Sequence, residues 1–139
     1  VPGLSDRIEV ISIVDRFLEH SRICCFLNGG EEEVYLASAD WMTRNLDKRI
    51  ELMFPVEDSA AKAKLLYVLK AAFQDNTKAR RLQSDGTYPR VRPARGEAPF
   101  RVQLHLHEFA ERAASLARDR AGIVLEPEGR AQTDRAPAT

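Results

Sequence analysis

A histidine, a serine and an arginine follow one another in Glu19-His20-Ser21-Arg22, just before an apolar run at 23–27. A second polar stretch, 38–51, leaves one apolar run and enters another, and it holds Ser38, Asp40, Arg44, Arg49 and Glu51. If the runs at 23–27 and 34–39 pair through a turn near 28–33, their outer ends lie side by side. His20 and Arg22 then stand close to Ser38 and Asp40. Arginine presents a rigid fork of N–H groups that matches phosphate oxygens two at a time. Histidine titrates near neutrality and can donate a hydrogen bond or relay a proton. The combination suits a phosphate ligand.

Each residue also has a plainer reading. A lone histidine is often a surface or core-edge residue, and 38–51 can be a solvated loop whose ion pairs contribute little. Trp41 reads as a core or edge anchor before it reads as a substrate platform. Other chemistries fall away. His105 and His107 are two apart on an expected helix, so they point roughly 200° apart and cannot share a metal. Gly29-Gly30 lacks the pattern of a phosphate-binding glycine loop. Cys24 and Cys25 sit in an apolar strand, which raises a thiol pKa and makes a nucleophile improbable. No Ser-His-Asp arrangement can be read from the spacing.

The elements that must position these residues follow from pattern. Residues 8–14 are β-branched with partial alternation and predict a strand; 15–19 could form one helical turn. Residues 23–27 read as a buried strand, Asn28-Gly29-Gly30 as a hairpin turn, 34–39 as the returning strand, and 50–54 as another strand, ended by Pro55. Asp58 can cap an amphipathic helix over 59–74, with Leu65, Leu66, Leu69, Ala72 and Phe73 at helical spacing. Residues 75–97 look irregular and basic, with Arg80, Arg81 and Arg90 among their cations; such a run is usually a solvated face. A second helix is expected over about 99–120, with Val102, Leu106, Phe109, Ala113 and Leu116 as its stripe. From Glu126 onward the composition predicts a disordered tail. The class is therefore α/β, a mixed sheet packed with two long helices, over 1–121, followed by a tail at 122–139.

The 139 residues suffice for one domain with a modest core. Lys and Arg (21) balance Asp and Glu (21), which argues against a general nucleic-acid or membrane-surface binder. The adjacent cysteines read as buried small hydrophobes in a reducing compartment. No apolar run approaches the roughly 20 residues that span a bilayer, and no signal peptide is visible. The opening Val1-Pro2-Gly3-Leu4-Ser5 reads like the inside of a loop, so we expect a piece of a longer chain whose N-terminal partners are missing.

Four segments resemble one family. ISIVDRFLEHSRI (11–23), FLNGG (26–30), VYLASADWMTRNLDKRIELMFP (34–55) and DNTKAR (75–80) are similar to the C-terminal domain of the long bacterial polyphosphate kinase. The resemblance covers about residues 3–90 and, more weakly, the last helix; SADWM paired with RNLDKRIE downstream of EHSR is its most specific element. The resemblance implies a phospholipase D-like fold, in which His20-Ser21-Arg22 takes the place of the second-half His-x-Lys motif. Ser38-Ala39-Asp40 falls near that superfamily's Gly-Ser-x-Asn element. The superfamily's acid five residues after the Lys would be Leu27, and its absence weakens a hydrolytic reading. Cys24 and Cys25 stand where relatives often carry aromatics.

The resemblance further implies reversible transfer of the terminal phosphoryl group of ATP to polyphosphate through a phosphohistidine located outside this chain. His20 would be the second histidine, touching nucleotide phosphates and serving as general acid or base. Arg22, Arg44 and Arg49 would contact phosphate, and Asp40 and Glu51 would hold the arginines or His20 in place. Mg2+ is implied with ligands outside this chain, and no metal ligand is assigned within it. ATP or ADP is the nucleotide, polyphosphate the second substrate, and the missing N-terminal domains and a second copy the protein partners. Cytoplasmic placement is implied, with association at the inner membrane face left open. Two alternatives remain: a non-catalytic polyphosphate- or polyanion-binding fragment, and a phospholipase D-like phosphodiesterase completed by dimerisation.

Overall fold

A computed structural model describes residues 3–121 of the chain, with side chains up to residue 118. The tail expected at 122–139 lies outside the described residues. The elements are β1 (Ile11–Ile13), β2 (Ile23–Asn28), β3 (Glu31–Ala37), α1 (Thr43–Lys48), β4 (Met53–Pro55), α2 (Ser59–Phe73), β5 (Ala79–Arg81) and α3 (Val102–Ala121). The α/β class holds. In place of one mixed sheet there are two small sheets, β1-β5 and β2-β3-β4, and every pairing among the described residues is antiparallel.

The β2–β3 hairpin forms where two glycines take positive φ, Gly29 at 62° and Gly30 at 103°, a conformation that favours a tight two-residue turn. Its register sets Ile23 opposite Leu36 and Asn28 opposite Glu31. β3 is central, and its Val34 is buried. β2 is an edge strand, so the expectation that it is buried is corrected: Phe26, Leu27 and Cys25 are exposed and Cys24 is half-buried. Trp41 is also exposed, at 88%, so it anchors no core among the described residues.

Asp58 caps α2 as its residue type predicts, accepting from the Ala61 N–H at 2.7 Å. The helix lies against β2, β3 and α3. Tyr67 of α2 packs on Phe109 of α3 with ring centroids 4.9 Å apart, and its hydroxyl bonds His105 Nε2. These contacts engage the first half of α3. Val102 is buried and Leu106 half-buried, whereas Phe109 and Leu116 of the same stripe are exposed.

Three further expectations are corrected. The strand at 8–14 contracts to Ile11–Ile13. Residues 15–19 form no helical turn, only a bend at 16–17; the Phe17 N–H and carbonyl bond the Gln103 side chain of α3, and the Arg16 N–H bonds Asp15 Oδ1. The irregular 75–97 stretch contains β5, and residues 89–91 run along its other side, with Arg81 N–H donating to Pro89 O and Val91 N–H to Ala79 O.

The junction between α2, β5 and α3 is tied by Asp75-Asn76-Thr77. Asp75 Oδ1 accepts the N–H groups of Thr77, Lys78 and Ala79 at 2.9, 2.6 and 3.0 Å, and Oδ2 accepts that of Val102, the first residue of α3, at 2.9 Å. Asn76 bonds Phe100 N–H and Ala98 O through its amide. Burial pushes the Asp75 carboxyl up, but the four N–H donors, Val102 foremost, outweigh it, and the pKa falls below its ordinary value. Its contribution to stability is therefore present above the ordinary carboxyl range and lost as pH falls through the lowered pKa. Asp75→Ala should destabilise the chain by roughly 3 kcal/mol in urea denaturation at neutral pH, since several charge-assisted bonds go together. The variant should also lose that part of the acid dependence of stability.

Candidate functional site

Both pairings of β3 continue one step past the strands: Ala37 N–H donates to the Arg22 carbonyl at 3.0 Å on the β2 side, and Ser38 N–H to Leu52 O at 2.9 Å on the β4 side. The ladder thus brings the two polar stretches together, as their spacing predicts. Arg22 Nε donates to Asp40 Oδ1 at 2.7 Å, and Arg22 Nη1 to the His20 carbonyl at 3.3 Å. The Arg22 hydrogen bond holds the Asp40 carboxyl below its usual range despite desolvation, with smaller help from Asn45 and His20. Arg22 is raised by the same bond.

Glu51 is the second organiser. Its Oε2 accepts the Ser38 hydroxyl at 2.5 Å, its Oε1 lies 3.5 Å from Arg49 Nε, and Ser38 Oγ in turn accepts the Leu52 N–H at 2.9 Å. Ser38 so pins the end of β3 to the entry of β4 while aiming Glu51 at Arg49. The imidazole of His20 is exposed and makes no hydrogen bond among the described residues; it lies at the rim of a cavity of about 340 Å³ lined by Arg22, Ser38, Leu36, Leu52 and Phe54. A second, apolar cavity of about 430 Å³ adjoins it across Ala37 and Leu52, and Phe26, Trp41 and Glu51 line it. A larger opening, about 710 Å³, sits elsewhere, over Glu31, Glu32 and Glu33, where carboxylates would repel phosphate.

His20, Arg22, Asp40, Arg49 and Glu51 are therefore grouped at one end of the three-stranded sheet. Arg44 is not drawn into the cluster: it stands exposed on α1 with no ion pair among the described residues. Sequence reasoning missed α1 itself, whose six residues are too few to show a period. It also missed Asn45, buried on that helix with Oδ1 unpaired among the described residues. Gln103, which bonds the segment leading to His20, gave no local signal, since its partners lie more than 80 residues away in sequence.

No group of three or more His, Cys, Asp or Glu side chains suited to a metal is present among the described residues. Of the carboxylates nearest His20, Asp40 is engaged by Arg22 and Glu51 Oε2 accepts from Ser38, while Glu51 Oε1 is buried without a hydrogen bond among the described residues, 3.5 Å from Arg49 Nε; with a cation beside each, they do not form a magnesium site of their own. No described helix is long and apolar enough to cross a membrane.

Residues 1–103 match the family model described as polyphosphate kinase C-terminal domain 2. The chain is similar to the polyphosphate kinase of Rhodopirellula baltica, 54% identical over 112 residues, which are 80% of this chain and 13% of that protein. It is 51% identical to that of Pseudomonas putida over 108 residues, 78% of this chain and 15% of that protein. It superposes on the crystal structure of polyphosphate kinase from Porphyromonas gingivalis with a TM-score of 0.75 and 39% identity, over 84% of this chain and 18% of that one. The chain thus spans a small part of the length of the relatives it matches.

The Arg22–Asp40 tie has a direct readout. The Arg22 Nε–H resonance should be protected from exchange above the ordinary carboxyl range and lost as pH falls through the lowered Asp40 pKa; in Asp40→Asn it should be weakly protected at every pH.

Proposed function

This chain belongs to the polyphosphate kinase family, and from that premise we propose that it supplies the second-histidine wall of a site for reversible phosphoryl transfer from ATP to polyphosphate. The family's phospholipase D-like architecture accords with the α/β arrangement here. The observation that carries the reading is the cluster itself: His20, Arg22 and Ser38 line one cavity inside the matched residues, and Ser38 is bonded to Glu51, which lies beside Arg49.

Phosphoryl transfer asks the protein chiefly for positioning and charge neutralisation. Arg49 is half exposed, with Glu51 fixing Nε, and its remaining N–H groups are free to meet phosphate oxygens. Arg22 has a narrower role than its type implies. The Nε–H and one Nη1–H are committed to Asp40 and to the His20 carbonyl, so Arg22 braces His20 first and offers phosphate the remaining N–H groups of its two Nη atoms. Arg44 would reach phosphate from the exposed face of α1. His20, with an unbonded imidazole, would hold or move a proton at the transferring group or its leaving oxygen. The covalent histidine, the magnesium ligands, the other domains and a homo-oligomeric, cytoplasmic enzyme belong to the same reading.

A second reading has its own support. Arg80 and Arg90 are paired across the open side of β5, with Arg90 donating to Thr77 O and Arg80 to Tyr88 O, so two like charges share one surface and a polyanion-binding surface is the alternative.

The chain alone should show no ATP-dependent polyphosphate synthesis. In a full-length polyphosphate kinase carrying this chain in place of its own matching segment, His20→Ala should lower kcat by about a thousandfold or more, as loss of a general acid–base group does. Activity near that of the parent chimera would exclude the role of His20. Polyphosphate binding to the chain that survives Arg49→Gln but disappears with Arg80→Gln and Arg90→Gln would favour the polyanion surface.

A further inference from the structure

We propose that Gln103, at the start of α3, is the positioning residue for His20, acting through the backbone of Phe17 and the carboxylate of Glu19. The inference rests on the reading of His20 given above. Gln103 Oε1 accepts the Phe17 N–H at 2.9 Å, and Gln103 Nε2 donates both to the Phe17 carbonyl at 2.8 Å and to Glu19 Oε1 at 2.7 Å. One primary amide thus gives Phe17 the donor and the acceptor that a neighbouring strand would give, and residues 14–21 belong to no strand. The side chain that does this is buried, at 7%.

Nothing else in the segment can do the same work. Leu18 is 87% exposed and Phe17 half exposed, its ring meeting only the Arg16 guanidinium at 5.4 Å among the described ring contacts. The His20 imidazole has no bond of its own to fix it, so its place follows from its backbone. That backbone is held on one side by Arg22 at the His20 carbonyl and on the other by Gln103 at Phe17 and Glu19. Upstream, Arg101 makes a two-point pair with the Asp15 carboxylate at 2.8 and 2.5 Å, and that carboxylate is 1% exposed. Gln103 is itself fixed, because the N–H of the residue before it, Val102, is held by Asp75 at 2.9 Å. A run of ties therefore leads from Asp75 through the first turn of α3 to the residue before His20.

The chemistry selects glutamine. A carboxylate at this position would set acceptor against acceptor at Phe17 O and Glu19, and a shorter amide would not span the same three atoms.

The test uses two proteins: the isotope-labelled chain for geometry, and the full-length chimera described above for turnover. In the chain, Gln103→Ala should raise exchange of the Phe17 amide about tenfold or more and shift the His20 imidazole resonances, while the Val34 and Ala71 amides keep their protection. Gln103→Glu keeps an acceptor for the Phe17 N–H but loses the donor to Phe17 O and Glu19, so at neutral pH it should retain Phe17 protection while shifting the His20 imidazole resonances. In the chimera, Gln103→Ala should lower kcat about ten- to a hundredfold, as a misplaced reacting group does, with a smaller change in KM for ATP. Unchanged Phe17 exchange in Gln103→Ala overturns the clamp, and so do His20 resonances in Gln103→Glu that match the parent at neutral pH. Lost protection in Gln103→Ala with kcat within about twofold of the parent overturns the positioning role. If Gln103→Ala does not fold, Gln103→Glu at neutral pH, which lacks only the donor, decides the clamp by its His20 resonances and the positioning role by kcat. His20→Ala that keeps full activity sinks the functional reading instead, and the exchange data still decide the clamp.

Discussion

Asp75 gathers four backbone N–H groups onto one carboxylate, three from the residues that lead into β5 and one from the first turn of α3. Once α2 has ended at Phe73, this carboxylate decides where both following elements begin. β5 then lies where β1 can pair with it, Ile11 opposite Arg81 and Ile13 opposite Ala79. α3 starts where Arg101 and Gln103 meet Asp15 and Phe17. The placement of the connector that carries His20 is therefore set by a group that touches none of the residues around the cavity. A buried carboxylate is tolerated because its lone pairs are filled by N–H donors, the condition under which a charged group can leave water.

Polar ties carry this weight because the hydrophobic core is thin. The buried apolar residues are Val34, Ala71, Ala79 and Val102, all small, and no large side chain is fully enclosed among the described residues. Small buried side chains remove little apolar area from water, so directional bonds fix the geometry that packing alone would leave loose. The site shows the same economy. Two arginines of the cluster each lie beside a carboxylate, and they differ in how firmly they are held: Arg22 is bonded to Asp40 and to the His20 carbonyl, whereas Arg49 makes only a 3.5 Å ion pair with Glu51.

The legible part of the chain is what nearest neighbours encode. Asn28-Gly29-Gly30 announces the hairpin, and the hairpin puts His20 and Arg22 beside Ser38 and Asp40. Asp58 announces the start of α2, and the helical spacing after it locates the end of α2 to within a residue of Phe73. The apolar run at 23–27 specifies a strand but not its burial, because the run does not say which strand becomes an edge. In sequence Asp75 is one acid in an irregular basic stretch; its role depends on Val102, 27 residues on. Gln103 and Asp15 are silent for the same reason. α1 is too short to show periodicity, and Asn45 on it carries no pattern. Arg44 groups with Arg49 by proximity in sequence, but helical geometry turns it away from the cluster.

The pairs Asp15–Arg101 and Phe17–Gln103 each join residues 86 apart. Contacts of such separation form late in folding, because the loop they close must be ordered before they return any free energy. During synthesis the hairpin that bears the site can assemble as soon as β3 is made, but the strap leading to His20 stays slack until the first turn of α3 has emerged. Within this cluster the histidine is thus translated before its neighbours and set in place after them.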